Sequence, residues 1–181
     1  MDEPQIGTLE TVPAADRPDL LAEPVRLALT ARPDVTVYVA EIDPDLADTA
    51  QFCAAYQVPL EVSANCVVVA GRRGGEQRIA ACMILATTRA DVNGVVRRRI
   101  DARKASFMAM DDAVEATGME YGGITPIGLP VDWPILVDAA VAELPFAIVG
   151  SGVRRSKLAL PGRTLAGWPG AELVEGLGRG V

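Results

Sequence analysis

The stretch Thr117–Gly128, TGMEYGGITPIG, contains four glycines and one proline within twelve residues. Glycine adopts backbone conformations that other residues avoid, and it lets the main chain approach a ligand closely. Pro126 fixes its own φ angle and restricts Thr125 to an extended conformation. The pattern predicts a rigid loop whose N–H groups can stabilise a negatively charged oxygen, although two tight turns between a helix and a strand would explain the same composition.

Short helices and strands are predicted on both sides of this loop. The helices are expected over residues 24–31, 43–56, 91–100, 111–117 and 138–143. The strands are expected over residues 35–40, 66–70, 79–86, 105–108, 135–137, 146–149 and 157–160. The runs CVVVA and IAACMILA are separated by Gly74 and Gly75 and predict an antiparallel hairpin that is buried on both faces. The order of elements is typical of a mixed α+β fold.

The length of the chain predicts one domain. Its 181 residues, half of them hydrophobic, are enough for one well-buried core. We expect residues 1–18, with three prolines among polar and small side chains, to form a flexible N-terminal arm. Residues 19–181 are expected to form a single domain.

The composition excludes several classes of protein. The chain has no histidine, so it has neither a Ser-His-Asp triad nor a histidine-bound zinc site. Its three cysteines form no C-x-x-C pair, which predicts reduced thiols in a cytoplasmic protein and no metal centre. No apolar run is long enough to span a membrane, and the net charge of −7 argues against a protein that coats DNA.

The basic residues are concentrated in the second part of the chain. Residues 1–64 carry three basic and 12 acidic side chains, whereas residues 65–181 carry 14 basic and 12 acidic ones. The basic residues in the second part include three groups: Arg72 with Arg73, Arg97–Arg99 with Arg103 and Lys104, and Arg154 and Arg155 with Lys157 and Arg163. These groups either form a positive rim for a phosphate-bearing ligand or are charges on solvated faces and helix ends.

The run TGMEYGGITPIG resembles the TG-x-x-x-GG-[VI]-[ST]-P-x-G signature of the YbaK/ProX family of aminoacyl-tRNA editing domains, which also occur within bacterial prolyl-tRNA synthetases. Other segments resemble parts of the family in the same order along the chain. DTAQFCAAYQVP resembles a family helix, and CVVVAG resembles the first barrel strand. ILVDAAV resembles the strand and turn at Asp138, and IVGSGVRRSKLAL resembles the closing hairpin. The resemblance covers residues 24–177.

The resemblance implies a mixed β-barrel of six to seven strands flanked by helices. It also implies a freestanding trans-editing deacylase that hydrolyses the ester between a wrong amino acid and the 3′-terminal adenosine of a tRNA, without a cofactor. The implied catalytic groups are Asn65, Gly122, Gly123 and Thr125. The implied substrate-binding residues are Tyr121, Ile124, Pro126, Ile127, Gly128, Asp138, Gly150, Ser151 and Gly152. Tyr121 or Phe107 would stack on the adenine, unless they belong to the core.

One position departs from the family pattern. Family members have a lysine just before the first barrel strand, and the resemblance implies that it is essential for editing; Asn65 occupies this position here. A neutral amide gives a weaker hydrogen bond than an ammonium. Lys104 and Lys157 could replace the missing charge, but we expect surface or strand-end roles for them. The alternative hypothesis is a non-catalytic module that binds an aminoacyl-nucleotide, a small metabolite or a synthetase.

Overall fold

The computed structural model describes residues 3–181. The strands are β1 Thr11–Pro13, β2 Tyr38–Glu41, β3 Ala64–Arg73, β4 Glu76–Leu85, β5 Thr88–Ala90, β6 Lys104–Phe107, β7 Ile135–Asp138, β8 Ala147–Gly150, β9 Ser156–Leu160, β10 Ala171–Val174 and β11 Gly178–Gly180. The helices are α1 Glu23–Thr30, α2 Thr49–Tyr56, α3 Arg97–Arg99, α4 Met110–Thr117, α5 Ala139–Ala142 and α6 Gly162–Ala166. A π-helical turn, Val92–Val96, leads into α3.

The strands pair in three sheets. The five-stranded sheet has the order β10-β7-β4-β3-β6, the four-stranded sheet has the order β1-β2-β9-β8, and β11 pairs with β5. A parallel bridge between Ser63 and Ile148 connects the two larger sheets next to β3. The mixed α+β class is therefore confirmed. The pairing among residues 3–181 does not form one continuous ring, so the six- to seven-stranded barrel stays a prediction.

The hairpin of β3 and β4 is the longest paired unit, and its prediction is confirmed. Ten residues of each strand are in register, from Ala64 opposite Leu85 to Arg73 opposite Glu76. Gly74 and Gly75 make the turn with φ angles of +58° and +84°, which glycine adopts at little cost. Side chains from the two faces of the hairpin enter different hydrophobic clusters, and this explains why both strands are apolar without interruption.

Helix α2 covers the four-stranded sheet. Phe52 is fully buried there, in a cluster that includes Tyr38 and Ala159. The helix begins later than the predicted residue 43, because Pro44–Leu46 form a separate 3₁₀ turn. The carboxylate of Asp43 accepts from the N–H of Asp45 and caps that turn. The residues between this turn and α2 become part of the cavity wall described below.

The N-terminal segment differs from the predicted flexible arm. Met1 and Asp2 of this segment lie outside the described residues. Strand β1 pairs with β2, and the next residue, Ala14, is only 3% exposed. Three prolines therefore did not prevent packing, because an edge strand tolerates residues that lack an N–H donor. The sequence also missed β5, β10, β11 and α6. Among residues 3–181, no helix is both long enough and apolar enough to cross a lipid bilayer.

Candidate active site

A cavity of about 350 Å³ opens between the two larger sheets. Its wall is formed by β3, the start of α2, the end of β8, one residue of β9 and the first part of the glycine-rich loop. The polar residues and glycines in the lining include Thr49, Asn65, Tyr121, Gly122, Gly150 and Lys157. Apolar side chains such as Ile124 and Ile148 complete the lining. The size and the mixed lining are those of a small-molecule site.

The segment Ala47–Thr49 holds two polar side chains at the cavity. The Lys157 ammonium donates to the carbonyl oxygen of Ala47 at 2.9 Å. The Thr49 hydroxyl donates to Oδ1 of Asn65, also at 2.9 Å. A cation from β9 and an amide from β3 are therefore fixed by the same three residues, although they come from different sheets.

Asn65 has its hydrogen-bond donors available. Its Oδ1 is occupied by Thr49, which fixes the orientation of the amide group. No described residue accepts a hydrogen bond from its Nδ2. Asn65 lies in the lining of the cavity, and its catalytic role stays a prediction. Two N–H groups can thus be offered to a carbonyl or phosphate oxygen of a ligand.

Lys157 is buried, whereas the sequence predicted a surface or strand-end role. It is 8% exposed, and its Nζ lies 5.3 Å from the centroid of the Phe52 ring. Burial, together with the nearby positive charge of Arg154, lowers the pKa of Lys157 to about 8. The side chain therefore carries a positive charge at neutral pH that can be lost under mildly alkaline conditions. Lys104, the other lysine, lies exposed on β6.

The first part of the glycine-rich loop docks on the turn that follows β8. The Gly152 N–H donates to the Gly123 carbonyl at 2.7 Å, and the Glu120 N–H donates to the Gly152 carbonyl at 2.8 Å. A Cβ atom on Gly123 would approach the backbone of Val153 to 2.9 Å. The Gly123 N–H donates to the Glu120 carbonyl, so it is not available to a ligand. Among residues 3–181, no acceptor is found for the N–H of Gly122, which lines the cavity.

The second part of the loop is structural, which corrects the prediction for these residues. Thr125, Pro126 and Ile127 are buried and do not line the cavity, and Ile127 belongs to the main hydrophobic cluster. Gly128 has a φ angle of +89°, and a Cβ there would meet the carbonyl oxygen of Pro24 at 2.5 Å. This half of the loop therefore anchors the chain against α1. The Thr125 hydroxyl is buried without a hydrogen-bond partner among residues 3–181.

Three other predicted binding residues also lie away from the cavity. Asp138 caps α5 by accepting from the Ala140 N–H at 2.8 Å, and its other oxygen accepts from the Gly178 N–H at 2.6 Å. The fully buried Ser151 hydroxyl bonds to Ser156 and to neighbouring backbone carbonyls. Gly152 has a φ angle of +87°, and its backbone makes the hydrogen bonds to the glycine-rich loop described above. Their structural roles explain why a short motif alone does not locate the site.

The mouth of the cavity carries exposed aromatic and apolar side chains. Tyr121 is 51% exposed, and the guanidinium of Arg154 lies 5.7 Å from the centroid of its ring. Arg154 also donates to the Tyr121 carbonyl and lies 3.6 Å from a carboxylate oxygen of Asp48. Phe107 and Met110 are also exposed and line the cavity. A planar base could therefore stack at this mouth, as the sequence predicted for Tyr121 or Phe107.

The cavity also contains the thiol of Cys66 in its lining. Burial raises the pKa of this thiol, and it therefore stays protonated at neutral pH. A protonated thiol is a poor nucleophile. Cys66 thus contributes to the shape of the cavity, and the polar chemistry falls to Asn65, Lys157 and the Gly122 backbone.

Sequence reasoning missed the position of Lys157, although one signal was present. The lysine directly precedes the apolar residues Leu158–Leu160 of the predicted strand. A lysine at the start of a strand usually lies in solvent, and only the packing of α2 against the sheet shows that it is enclosed.

Comparisons with known proteins agree with this architecture. The chain resembles the crystal structure of a proposed trans-editing enzyme for prolyl tRNA synthetase, with a TM-score of 0.72 and 20% identity over 88% of this chain and 97% of that one. It also resembles the structure of hypothetical protein APE2540, with a TM-score of 0.75 and 20% identity over 87% of this chain and all of that one. No curated protein gives a significant sequence match. The aminoacyl-tRNA editing domain profile matches residues 43–167, which include the cavity residues from Ala47 to Lys157, and the chain therefore belongs to the aminoacyl-tRNA editing domain family.

Proposed function

We propose that the protein is a freestanding deacylase that removes a wrongly attached amino acid from the 3′-terminal adenosine of a tRNA. The observation that carries the proposal is the cavity in which the Lys157 ammonium and the Asn65 amide are fixed by one segment of chain. Family membership supports the substrate class. The resemblance also implies Asn65 and Gly122, whereas the position of Lys157 in the site is proposed from geometry.

The arrangement suits the hydrolysis of an ester that is already reactive. A water molecule attacks the ester carbonyl, and the carbonyl oxygen becomes negatively charged in the tetrahedral intermediate. Lys157, the Nδ2 group of Asn65 and the Gly122 N–H are the donors near this charge, and fixed donors lower its energy. The bond to the ribose oxygen then breaks, the ribose oxygen takes up the proton that the attacking water gives up, and a free amino acid and an uncharged tRNA are released.

Lys157 supplies the charge that is absent at position 65. The family resemblance places an essential lysine at the start of the first strand, where this chain has Asn65. Lys157 borders the same cavity from β9 and is held by the Ala47 carbonyl. We therefore assign the electrostatic role to Lys157 and a hydrogen-bonding role to Asn65.

The test is deacylation of a panel of mischarged tRNAs by the purified protein. The panel begins with proline-specific tRNA that carries a wrong amino acid, because one structural neighbour is described as a trans-editing enzyme for prolyl tRNA synthetase. We expect Lys157→Met to reduce kcat by about 100-fold, the loss typical of removing one donor to an oxyanion. Arg89→Met removes an exposed cation on β5 and should leave kcat unchanged. A wild-type protein inactive on every mischarged tRNA would contradict the proposal.

The second candidate is a non-catalytic module with the same cavity, favoured by the absence of a lysine at position 65. Such a module would bind an aminoacyl-nucleotide, a small metabolite or a synthetase. Asn65→Lys separates the two functions. An inert wild type that gains deacylase activity through this substitution identifies a binding module, whereas an active wild type whose activity depends on Lys157 identifies an enzyme.

A further inference from the structure

Asp48 carries the only carboxylate in the cavity lining of the described part of the chain, and Lys157 carries the only ammonium there. The Asp48 side chain is 57% exposed, so a ligand can reach it. Its two neighbours in sequence already have partners, because the Ala47 carbonyl accepts from Lys157 and the Thr49 hydroxyl donates to the cavity asparagine. The segment that fixes the two proposed donors therefore also brings a carboxylate to the cavity.

Asp48 occupies the N-cap position of α2 but does not cap the helix. An aspartate at this position usually stabilises a helix by accepting a hydrogen bond from an N–H group of the first turn. The Asp48 side chain makes no such bond. The aspartates at three other N-caps, Asp43, Asp91 and Asp138, all accept from a nearby backbone N–H. The Asp48 carboxylate is thus not used by its own helix.

The carboxylate of Asp48 lies beside the glycine-rich loop at Gly122. A Cβ atom placed on Gly122 would be 3.7 Å from Oδ1 of Asp48. The Gly122 N–H is one of the donors proposed for the ester carbonyl. In an α-aminoacyl group the nitrogen and the carbonyl oxygen are attached to adjacent carbon atoms, so they are roughly 3 Å apart. A carbonyl oxygen bound at the Gly122 N–H therefore brings the amino group within reach of Asp48.

The aminoacyl end of a tRNA carries a positive charge that the cations of this site would repel. Its α-amino group is protonated below a pKa of about 8. Lys157 is positively charged at neutral pH, and the guanidinium of Arg154 lies near the mouth of the cavity. Two cations near an ammonium raise its energy, and a nearby carboxylate lowers it. Asp48 is the group in the lining that can offset this repulsion.

Asp48 is close to both cations and still has an oxygen for a ligand. It is near enough to Lys157 to oppose part of the lowering of the Lys157 pKa by burial. Its Oδ1 lies 3.6 Å from the guanidinium of Arg154. No group in the described part of the chain donates a hydrogen bond to its other oxygen, Oδ2. One carboxylate can thus contact Arg154 and a ligand ammonium at the same time.

We propose that Asp48 binds the α-ammonium group of the aminoacyl end, so that the site is specific for aminoacyl esters with a free amino group. The inference deepens the proposed function and rests on it, because it assumes that the aminoacyl end occupies the cavity. An N-acylated end, such as that of a peptidyl-tRNA, has no charge on this nitrogen and loses the contact. Asp48 contributes to recognition of the substrate and takes no part in the attack of water.

The experiment compares two RNA hairpins that imitate the acceptor stem of a tRNA and end in 3′-amino-3′-deoxyadenosine. One hairpin carries a glycyl group and the other a glycolyl group, so the two differ only in an ammonium or a hydroxyl group. Both groups are attached through an amide, which is far less reactive than an ester. Neither has a side chain, so selectivity for side chains does not affect the result. Fluorescence anisotropy measures both Kd values at pH 6.5, at which the amino group is protonated.

We expect the wild type to bind the glycyl probe about fivefold more tightly than the glycolyl probe, as is typical of one partly exposed charge pair. Asp48→Asn should abolish this preference. Asparagine has nearly the same shape and is an equally good N-cap, so we expect the variant to fold. Asp45→Asn is the matched control, since it removes an exposed carboxylate three residues earlier that does not line the cavity. It should keep the preference.

Three results would overturn the inference: a wild type without the preference or without binding to either probe, an Asp48→Asn variant that keeps the preference, and an Asp45→Asn variant that loses it equally. The amide probes separate recognition from catalysis. A wild type that prefers the glycyl probe but deacylates no mischarged tRNA would support recognition by Asp48 and contradict the enzymatic proposal. Deacylation by the wild type, together with an unchanged preference in Asp48→Asn, would contradict the role of Asp48 alone.

Discussion

At the scale of single residues, the site depends on side chains that come from two different sheets. Asn65 belongs to β3 and Lys157 to β9, and the segment Ala47–Thr49 at the start of α2 binds both of them. An Asn amide can rotate, and without a partner for its oxygen it would present either end to a ligand. Thr49 removes this freedom, and it is therefore a positioning residue whose hydroxyl acts through Asn65.

Thr49→Val tests this role because valine keeps the shape of the side chain and removes the donor. We expect kcat for deacylation to fall by about fivefold, which corresponds to one hydrogen bond of about 1 kcal/mol. Thr49→Ser retains a hydroxyl and should restore most of the rate. Thr8→Val is the control, since the Thr8 hydroxyl donates to the Tyr56 carbonyl at 3.1 Å at a site away from the cavity. Equal losses of rate in the two valine variants would show that Thr49 acts only through stability.

At the scale of elements, the glycine-rich loop divides into a half that borders the cavity and a half that packs in the core. Gly122 belongs to the first half and Gly128 to the second. The sequence showed that this loop was exceptional, because glycine and proline are concentrated there. It could not show which half faced a ligand, since that depends on the contacts with α1 and with the turn after β8. Those contacts join parts of the chain that are distant in sequence.

The end of β8 packs against this loop without room for a side chain. A Cβ atom on Gly150 would lie 2.4 Å from the carbonyl oxygen of Gly123. We expect Gly150→Ala to reduce the free energy of unfolding by about 2–3 kcal/mol, because the backbone must move to accept the methyl group. Gly74→Ala is a useful comparison: its φ is +58° but nothing lies within 4 Å, so only the conformational cost of about 1 kcal/mol applies. Denaturant titration measures both values, and an equal loss of stability would contradict the steric explanation.

The elements that could be predicted are those whose sequence signals are local. The β3–β4 hairpin combines apolar strands with a Gly-Gly turn, and Gly118 ends α4 with a φ of +66°, as expected for a helix C-terminus. Strand β1 was missed because its three residues give no local signal and its partner β2, although predicted, is distant in sequence. Strands β5, β10 and β11 are three or four residues long, too short for their periodicity to be recognised.

At the scale of the whole molecule, the buried cation of Lys157 lowers the free energy of unfolding by an amount that depends on pH. Lys157 has a pKa of about 8 in the folded protein, against an ordinary value of 10.5. Between these two values the unfolded chain binds more protons than the folded protein. The contribution of Lys157 to the free energy of unfolding therefore rises with pH through this range. Buried cysteines have the opposite effect, because burial raises the pKa of Cys82 to about 12 and the unfolded chain loses those protons earlier.

The comparison between the wild type and Lys157→Met isolates the contribution of this lysine, which includes its interaction with the Cys53 thiol, since the buried Cys66 and Cys82 affect both proteins equally. The free energy of unfolding of the wild type, relative to the variant, should rise by about 3 kcal/mol between pH 7.5 and pH 10.5, as converted from the shift in pKa. Urea titrations at several pH values measure this difference. A difference that stays constant with pH would mean that Lys157 titrates as it does in the unfolded chain, and the ammonium would then be solvated rather than enclosed. Since the proposed electrostatic role requires an enclosed charge, that result would also remove the reason for assigning it to Lys157.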